Sequence, residues 1–163
     1  PGGPQLSGGP VTITSEDMTR FFMTLSDATH LILTAGVEMQ GGEIFIPKMS
    51  AVKIIDLAKV LIEELAPKYG HDPKKIKIAF TGIRSGEKVH ESLITDQEAT
   101  SLKEDEHKFV LKYPDSPVVS DRTVSFHLYD STTTTLLDKN EIKKLVQEIP
   151  LASPGGSGRW GDR

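Results

Sequence analysis

The chain has 163 residues, a formal charge of −4 and no cysteine. That length predicts one domain with a real core, or at most two very small ones. The acidic balance argues against nucleic acid as the partner, because phosphate backbones call for a basic field, and the missing thiols exclude disulfides, a thiolate nucleophile and cysteine-bound zinc or iron–sulfur centres, which fits a reducing cytoplasm.

Both ends, "PGGPQLSGG" and "SPGGSGRWGDR", are rich in Gly, Pro and Ser and show no apolar periodicity. They are read as flexible tails over 1–9 and 151–163, linker or reading-frame scars, around a single α/β domain spanning 10–150. Within it, "PVTIT" is a short strand ended by the turn-forming "SED", and "TRFFMT" a second strand. Ser26 offers an N-cap to a helix carrying Ala28, Leu31, Ile32 and Ala35, which stops near Gly41–Gly42. "EIFIP" is a strand. Ser50 is expected to cap the clearest helix, whose stripe is Val52, Ile55, Ala58, Leu61, Ile62 and Leu65.

In "KIKIAF", Ile76, Ile78 and Phe80 alternate with Lys75, Lys77 and Ala79, the pattern of a half-buried strand. A short helix is expected near Glu87, and Thr95 with Glu98 forms a capping box. "HKFVLKY" is a further strand. Asp138 and Glu141 start a last helix with Ile142, Leu145, Val146 and Ile149 inward. The alternation of strands and helices predicts an α/β fold, a small mixed sheet with flanking helices and some parallel pairing. The apolar runs fall short of the roughly 20 residues that cross a bilayer, and no charged-then-apolar signal opens the chain, so a soluble protein is expected.

His30, His71, His90, His107 and His127 match no zinc spacing. Glu87 and His90 stand three apart, as in carboxylate-bridged metal sites, but the second copy those sites need is missing. No nucleophile elbow, phosphate loop or glycine-rich dinucleotide loop occurs, so catalysis is not indicated by motif. The stretch with binding character is "GIRSGEKVHE", residues 82–91. Arg84 at a strand mouth presents a planar fork suited to two phosphate oxygens, Gly82 and Gly86 let backbone approach a ligand, and an ionised Glu87 can accept both hydroxyls of a ribose. The commoner occurrence of such a stretch is a surface turn, with Arg84 and Glu87 paired or hydrated.

"GGPVTITSEDMTRFFMTLSDATHLIL", "GGEIFIPKMSAVKIIDLAKVLIEE", "TGIRSGEKVHESLIT" and "YDSTTTTLLDKNEIKKL" resemble, in order and spacing, the C-terminal half of the inverting UDP-N-acetylglucosamine 4,6-dehydratases. These are polysaccharide-biosynthesis members of the extended short-chain dehydrogenase/reductases, and the resemblance covers roughly residues 8–149. It implies the substrate domain of such an enzyme without its Rossmann domain, gripping the UDP part of a UDP-sugar. Arg20 and Arg84 resemble the two diphosphate arginines, Glu87 the ribose ligand, and Lys48 lies near the nucleotide pocket. The family more often shows Pro where Ser85 stands. NADP and the catalytic Tyr-x-x-x-Lys belong to the Rossmann part. Here Pro73, Pro117 and Thr133 stand four places after Tyr69, Tyr113 and Tyr129, so the expectation is no catalytic residue, no metal and no cofactor in this chain. It is then a fragment, a split-gene product or a stand-alone descendant, working with a separate Rossmann half. The alternative is a self-associating or protein-interaction module. A homodimer or larger species is expected, with no nucleic-acid or membrane partner.

Overall fold

The computed structural model describes residues 9–112 and 129–148. The Gly- and Pro-rich ends, except Gly9, lie outside them, as do Tyr113, Pro117, His127 and Ile149. In chain order the elements are β1 (Val11–Ile13), β2 (Thr19–Phe22), α1 (Leu25–Glu38), β3 (Glu43–Pro47), β4 (Ser50–Lys53), α2 (Ile54–Leu65), β5 (Ile78–Phe80), β6 (Ser92–Ile94), β7 (Leu102–Glu104), β8 (Lys108–Lys112), β9 (Tyr129–Asp130) and α3 (Lys139–Glu148). Three short 3-10 turns, Pro67–Tyr69, Pro73–Lys75 and Glu98–Ser101, lie between them. The fold is mixed α/β, as the alternation predicts.

These elements form two compact units. The first contains β1, α2, β5 and α3, drawn from residues up to Met18, Lys53–Glu87 and Asp138 onward. Its strands β1 and β5 pair in parallel, with Val11 opposite Ile78 and Ile13 opposite Phe80. Helix α2 packs on α3, where Ile142 and Val146 are buried as their spacing predicts. Along that seam Lys139 meets Glu63 at 2.8 Å and Lys143 meets Glu64 at 2.7 Å. Asp138 and Glu141 make the expected reciprocal cap: Glu141 accepts from the Asp138 N–H at 2.7 Å, and Asp138 accepts from the Glu141 N–H at 2.9 Å.

The second unit holds Thr19–Val52 and Lys88–Leu137. Strands β3, β8 and β7 make an antiparallel sheet in which Ile46 faces Phe109 and Lys103 faces Val110. Ile46, Ile94, Phe109 and Leu111 are its core, with Leu102 and Tyr129 against them. Full burial of such a side chain contributes about 1.5–3 kcal/mol. The Tyr129 ring lies 5.1 Å from Phe21 and 5.1 Å from Phe109. Its hydroxyl accepts from the Met49 N–H at 2.6 Å and reaches the Met49 carbonyl at 3.1 Å, so the polar tip is satisfied inside an apolar setting.

Several local expectations are corrected. The cap of α1 is Thr24, not Ser26: Asp27 falls at the third helical position from Thr24 and returns a bond to the Thr24 N–H, whereas Ser26 has Thr29 at that distance. Ser50 does not cap α2. It lies in β4 with a buried Val52, and the first N–H of α2, on Ile54, donates to the Met18 carbonyl at 2.9 Å, a main-chain partner no local pattern reveals. No helix forms at Glu87. The segment after it is bonded crosswise instead, since the Val89 carbonyl accepts from Thr19 N–H at 3.1 Å and the Glu91 carbonyl from Ser131 N–H at 2.8 Å. In "KIKIAF" only Ile78–Phe80 is strand, and Phe80 is 52% exposed rather than tucked in. Thr95 and Glu98 do form their box, at 2.9 and 3.4 Å.

Candidate functional site

Parallel pairing brings the carboxyl ends of β1 and β5 side by side, so the residues that follow both strands meet although 67 positions separate Thr14 from Thr81. The Thr81 N–H donates to the Ile13 carbonyl at 2.9 Å and extends the ladder by one step. Beyond it, Arg84 to Glu87 make a tight turn in which the Glu87 N–H donates to the Arg84 carbonyl at 3.0 Å. Gly86, third in the turn, has φ +82°, a conformation that costs glycine least. Ser85 is second, where proline would be favoured for the same turn.

Glu87 closes this turn with its side chain. One carboxylate oxygen accepts from the Thr14 hydroxyl at 3.1 Å and the other from the Arg84 N–H at 3.1 Å. The Arg84 guanidinium therefore does not pair with Glu87; it is the Arg84 backbone that does. The Arg84 side chain is exposed and has no partner among the described residues. The Arg84 fork thus projects from a braced turn just beyond the carboxyl ends of the paired parallel strands β1 and β5. The structure adds Thr14, which the sequence did not single out, to the turn that holds Arg84 and Glu87. The signal available was that "VTI" and "IAF" are each followed directly by a threonine, Thr14 and Thr81, as in-register parallel strands allow.

Arg20 and Lys48 lie in the other unit, and both are engaged. The Arg20 guanidinium donates to the Thr19 carbonyl at 2.7 Å, the Val89 carbonyl at 3.0 Å and the Lys88 carbonyl at 2.8 Å, and its Nε is 3.5 Å from Glu91. Most of its five N–H donors are thus used to hold β2 against residues 88–91. Lys48 Nζ sits 2.7 Å from Glu104 and 5.2 Å over the Phe109 ring. Beside Arg20 runs a chain of hydroxyls that the sequence did not signal. His90 Nδ1 is 2.8 Å from the Thr19 hydroxyl, itself 2.6 Å from the buried Ser131 hydroxyl, which accepts from the Glu91 N–H at 2.9 Å. Glu87 and His90, considered for a metal, point to different partners. No group of three metal-ligating side chains occurs among the described residues.

Two carboxylates are shifted by lysines. The Lys112 ammonium bonded to Glu43 holds that carboxyl at about 2, and the Lys108 ammonium bonded to Asp105 does the same, also to about 2. Both pairs belong to the β3–β8 region and brace it, well apart in sequence from Arg84 and Glu87.

The polysaccharide biosynthesis protein family matches residues 5–113, more than half of the chain. The chain belongs to that family. It is similar to an uncharacterized membrane protein of Methanocaldococcus jannaschii, at 47% identity over 142 residues, 87% of this chain and 42% of that protein. It is also similar to an inverting UDP-N-acetylglucosamine 4,6-dehydratase of Campylobacter jejuni, at 38% identity over 99 residues, 61% of this chain and 26% of that one. Among solved structures it resembles Pen from Bacillus thuringiensis with a TM-score of 0.73 and 34% identity, across 84% of this chain and 40% of that one. The chain therefore spans less than half the length of these relatives. The family assignment and the mixed α/β fold agree with what the four sequence blocks imply. Although one relative is described as a membrane protein, no helix of the described residues is long and apolar enough to cross a membrane.

Proposed function

We propose that this chain is the UDP-sugar-binding part of a nucleotide-sugar 4,6-dehydratase of polysaccharide biosynthesis, catalytic only together with a Rossmann part that carries NADP and the catalytic base. The observation that carries the reading is the Arg84–Glu87 turn, braced by Thr14 at the carboxyl ends of β1 and β5, with the Arg84 fork exposed. In this reading Arg84 takes phosphate oxygens of the diphosphate, because the planar guanidinium can bond two oxygens at once. Glu87 presents its remaining lone pairs to the ribose hydroxyls. Two of its acceptor positions are filled by Thr14 and Arg84, and an ionised carboxylate has about four.

Arg20 takes a different emphasis from Arg84. Its donors hold the carbonyls of residues 88 and 89, so its contribution is to fix β2 against the segment that begins at Lys88 within its own unit. Lys48, paired with Glu104, is assigned a minor electrostatic part. NADP does not fit the described residues. Neither strand of the parallel pair runs into a helix whose first turn would cradle a pyrophosphate: β1 leads to β2, and β5 to the Arg84 turn and then β6. No redox or elimination step is therefore derived for this chain, and the reaction is assigned to the combined protein, in the cytoplasm. Mixing the chain with a separately expressed Rossmann half and assaying NADP-dependent conversion of UDP-N-acetylglucosamine tests the assignment. Turnover by the lone chain would contradict it.

A second reading, a self-associating module, is favoured by one observation. Helix α1 buries none of its residues, and Leu25, Ile32, Leu33 and Val37 are 65–88% exposed. Such a surface favours coverage by a second copy or another protein.

A further inference from the structure

In the second unit, three polar side chains form a line from the surface to the core that the UDP-sugar reading does not use. The His90 ring is exposed, whereas Thr19 and Ser131 are buried. His90 Nδ1 lies 2.8 Å from the Thr19 hydroxyl, which lies 2.6 Å from the Ser131 hydroxyl. Main chain fixes the inner end: the Glu91 N–H donates to the Ser131 hydroxyl at 2.9 Å, and the Ser131 N–H to the Glu91 carbonyl at 2.8 Å. A hydroxyl has one hydrogen and can turn it either way, so the line admits two orders. In the first, Ser131 donates to Thr19, and Thr19 donates to an Nδ1 without hydrogen. In the second, a protonated Nδ1 donates to Thr19, Thr19 donates to Ser131, and the Ser131 hydrogen needs another acceptor. Among the described residues the acceptor in reach is the Thr19 carbonyl at 3.4 Å, outside the usual O–H···O range of about 2.5–3.0 Å. That carbonyl already accepts from the Arg20 guanidinium at 2.7 Å.

We infer that this line is a proton-operated switch, in which protonation of His90 reverses both hydroxyls and draws the Ser131 hydroxyl onto the carbonyl that Arg20 holds. While His90 is neutral its hydrogen stands on Nε2, because that order makes both hydroxyl bonds short and leaves the Thr19 carbonyl to Arg20. The same guanidinium holds the Val89 and Lys88 carbonyls at 3.0 and 2.8 Å, so a change at Thr19 reaches the clamp between β2 and residues 88–91. The charges around the ring come from each neighbouring element. Asp130 of β9 is in electrostatic reach of His90, with its carboxylate engaged by the Thr132 and Thr133 N–H groups. Arg20 of β2 and Glu91 offset each other at 3.5 Å, and Lys88 is exposed. The switch acts on the second unit alone and does not rest on UDP binding.

The test uses the full 163-residue chain, labelled with 13C and 15N and titrated by NMR from roughly pH 8 to pH 5, the interval in which histidines change charge. At the alkaline end Nδ1 of His90 is expected to carry no hydrogen. As the ring gains its proton, Ser131 Cβ and Arg20 Nε shift along the ring's own curve, with one midpoint. Thr19→Val removes the middle hydroxyl, so His90 still titrates while the responses at Ser131 and Arg20 shrink or vanish. His90→Asn keeps a hydrogen-bonding group near the place of Nδ1 but does not titrate, and it too removes both responses. Because His90 is exposed, that variant carries the test should Thr19→Val not fold. Four results overturn the inference: a hydrogen on Nδ1 at the alkaline end, a ring that keeps one charge state throughout, Ser131 or Arg20 signals that stay fixed while His90 titrates, or responses that persist at full size in Thr19→Val or His90→Asn.

Discussion

Replacing Glu87 by alanine removes an acceptor from the Thr14 hydroxyl and another from the Arg84 N–H. A hydrogen bond to an ionised group contributes about 1.5–3 kcal/mol when well buried. Here the carboxylate is half-buried and the bond to Arg84 is exposed, so the two together are expected to stabilise the first unit by only about 1–1.5 kcal/mol. With a urea slope of about 1–3 kcal/mol per molar, the unfolding midpoint should fall by roughly 0.5–1 M. Thr14→Val should recover part of this loss, and the double variant should show a coupling of about 0.5 kcal/mol or more between the two positions. Amide exchange at Arg84 should quicken in Glu87→Ala and not in Arg84→Ala controls read at neighbouring amides. If Glu87→Ala leaves both the midpoint and the exchange unchanged, the turn stands on Gly86 alone, and the bracing role assigned to Glu87 is wrong.

Three further outcomes are expected. Ser131→Ala should destabilise the second unit by about 1–3 kcal/mol, because it strands the Glu91 N–H in a buried setting, while Thr132→Ala on the exposed turn should cost far less; thermal unfolding of both variants checks this. Acid should loosen the β3–β8 region: the folded carboxyls of Glu43 and Asp105 sit near 2, below their ordinary 4.5 and 3.8, so their contribution is complete above the ordinary values and is lost as pH falls toward about 2. Lys112→Gln and Asp105→Asn should each flatten that decline in a pH series of unfolding midpoints. Sedimentation equilibrium across a hundredfold dilution should show a dimer or larger species that Val37→Glu weakens, and a monomer at every concentration would retire the assembly reading.

Legibility in the sequence followed the range of the interactions involved. The Asp138–Glu141 and Thr95–Glu98 boxes were readable because each rests on contacts within a few residues, and the strands "EIFIP" and "KFVLK" and the inward Ile142 and Val146 because apolar spacing marks a buried face even where the partner is distant. Where a distant main-chain group intervened, the local pattern misled. Ser50 looks like a cap because a hydroxyl precedes an apolar helical stripe, yet the orphan N–H of Ile54 is met by the Met18 carbonyl. Glu87 looks like a helix start, but the carbonyls that follow it are taken by Thr19 and Ser131. In the Arg84–Glu87 turn, residue types pointed to Arg84 and Glu87, and the four-block resemblance added Arg20 and Lys48. What no local pattern carried was the bracing: Thr14 reaches Glu87 only through the parallel β1–β5 register, and Arg20 is tied down by carbonyls 68 and 69 positions away.

The most direct measurement of the central claim is a titration of the 15N-labelled chain with UDP, followed by amide shifts residue by residue. Binding is expected to be weak, with a dissociation constant near or above the millimolar range, equivalent to about 4 kcal/mol, since only part of an enclosing site is present. Shifts should cluster at Gly82 to Glu87 and Thr14, and Arg84→Ala should abolish them while leaving the rest of the spectrum in place. An unchanged spectrum at high UDP, or shifts that persist undiminished in Arg84→Ala, would contradict the account.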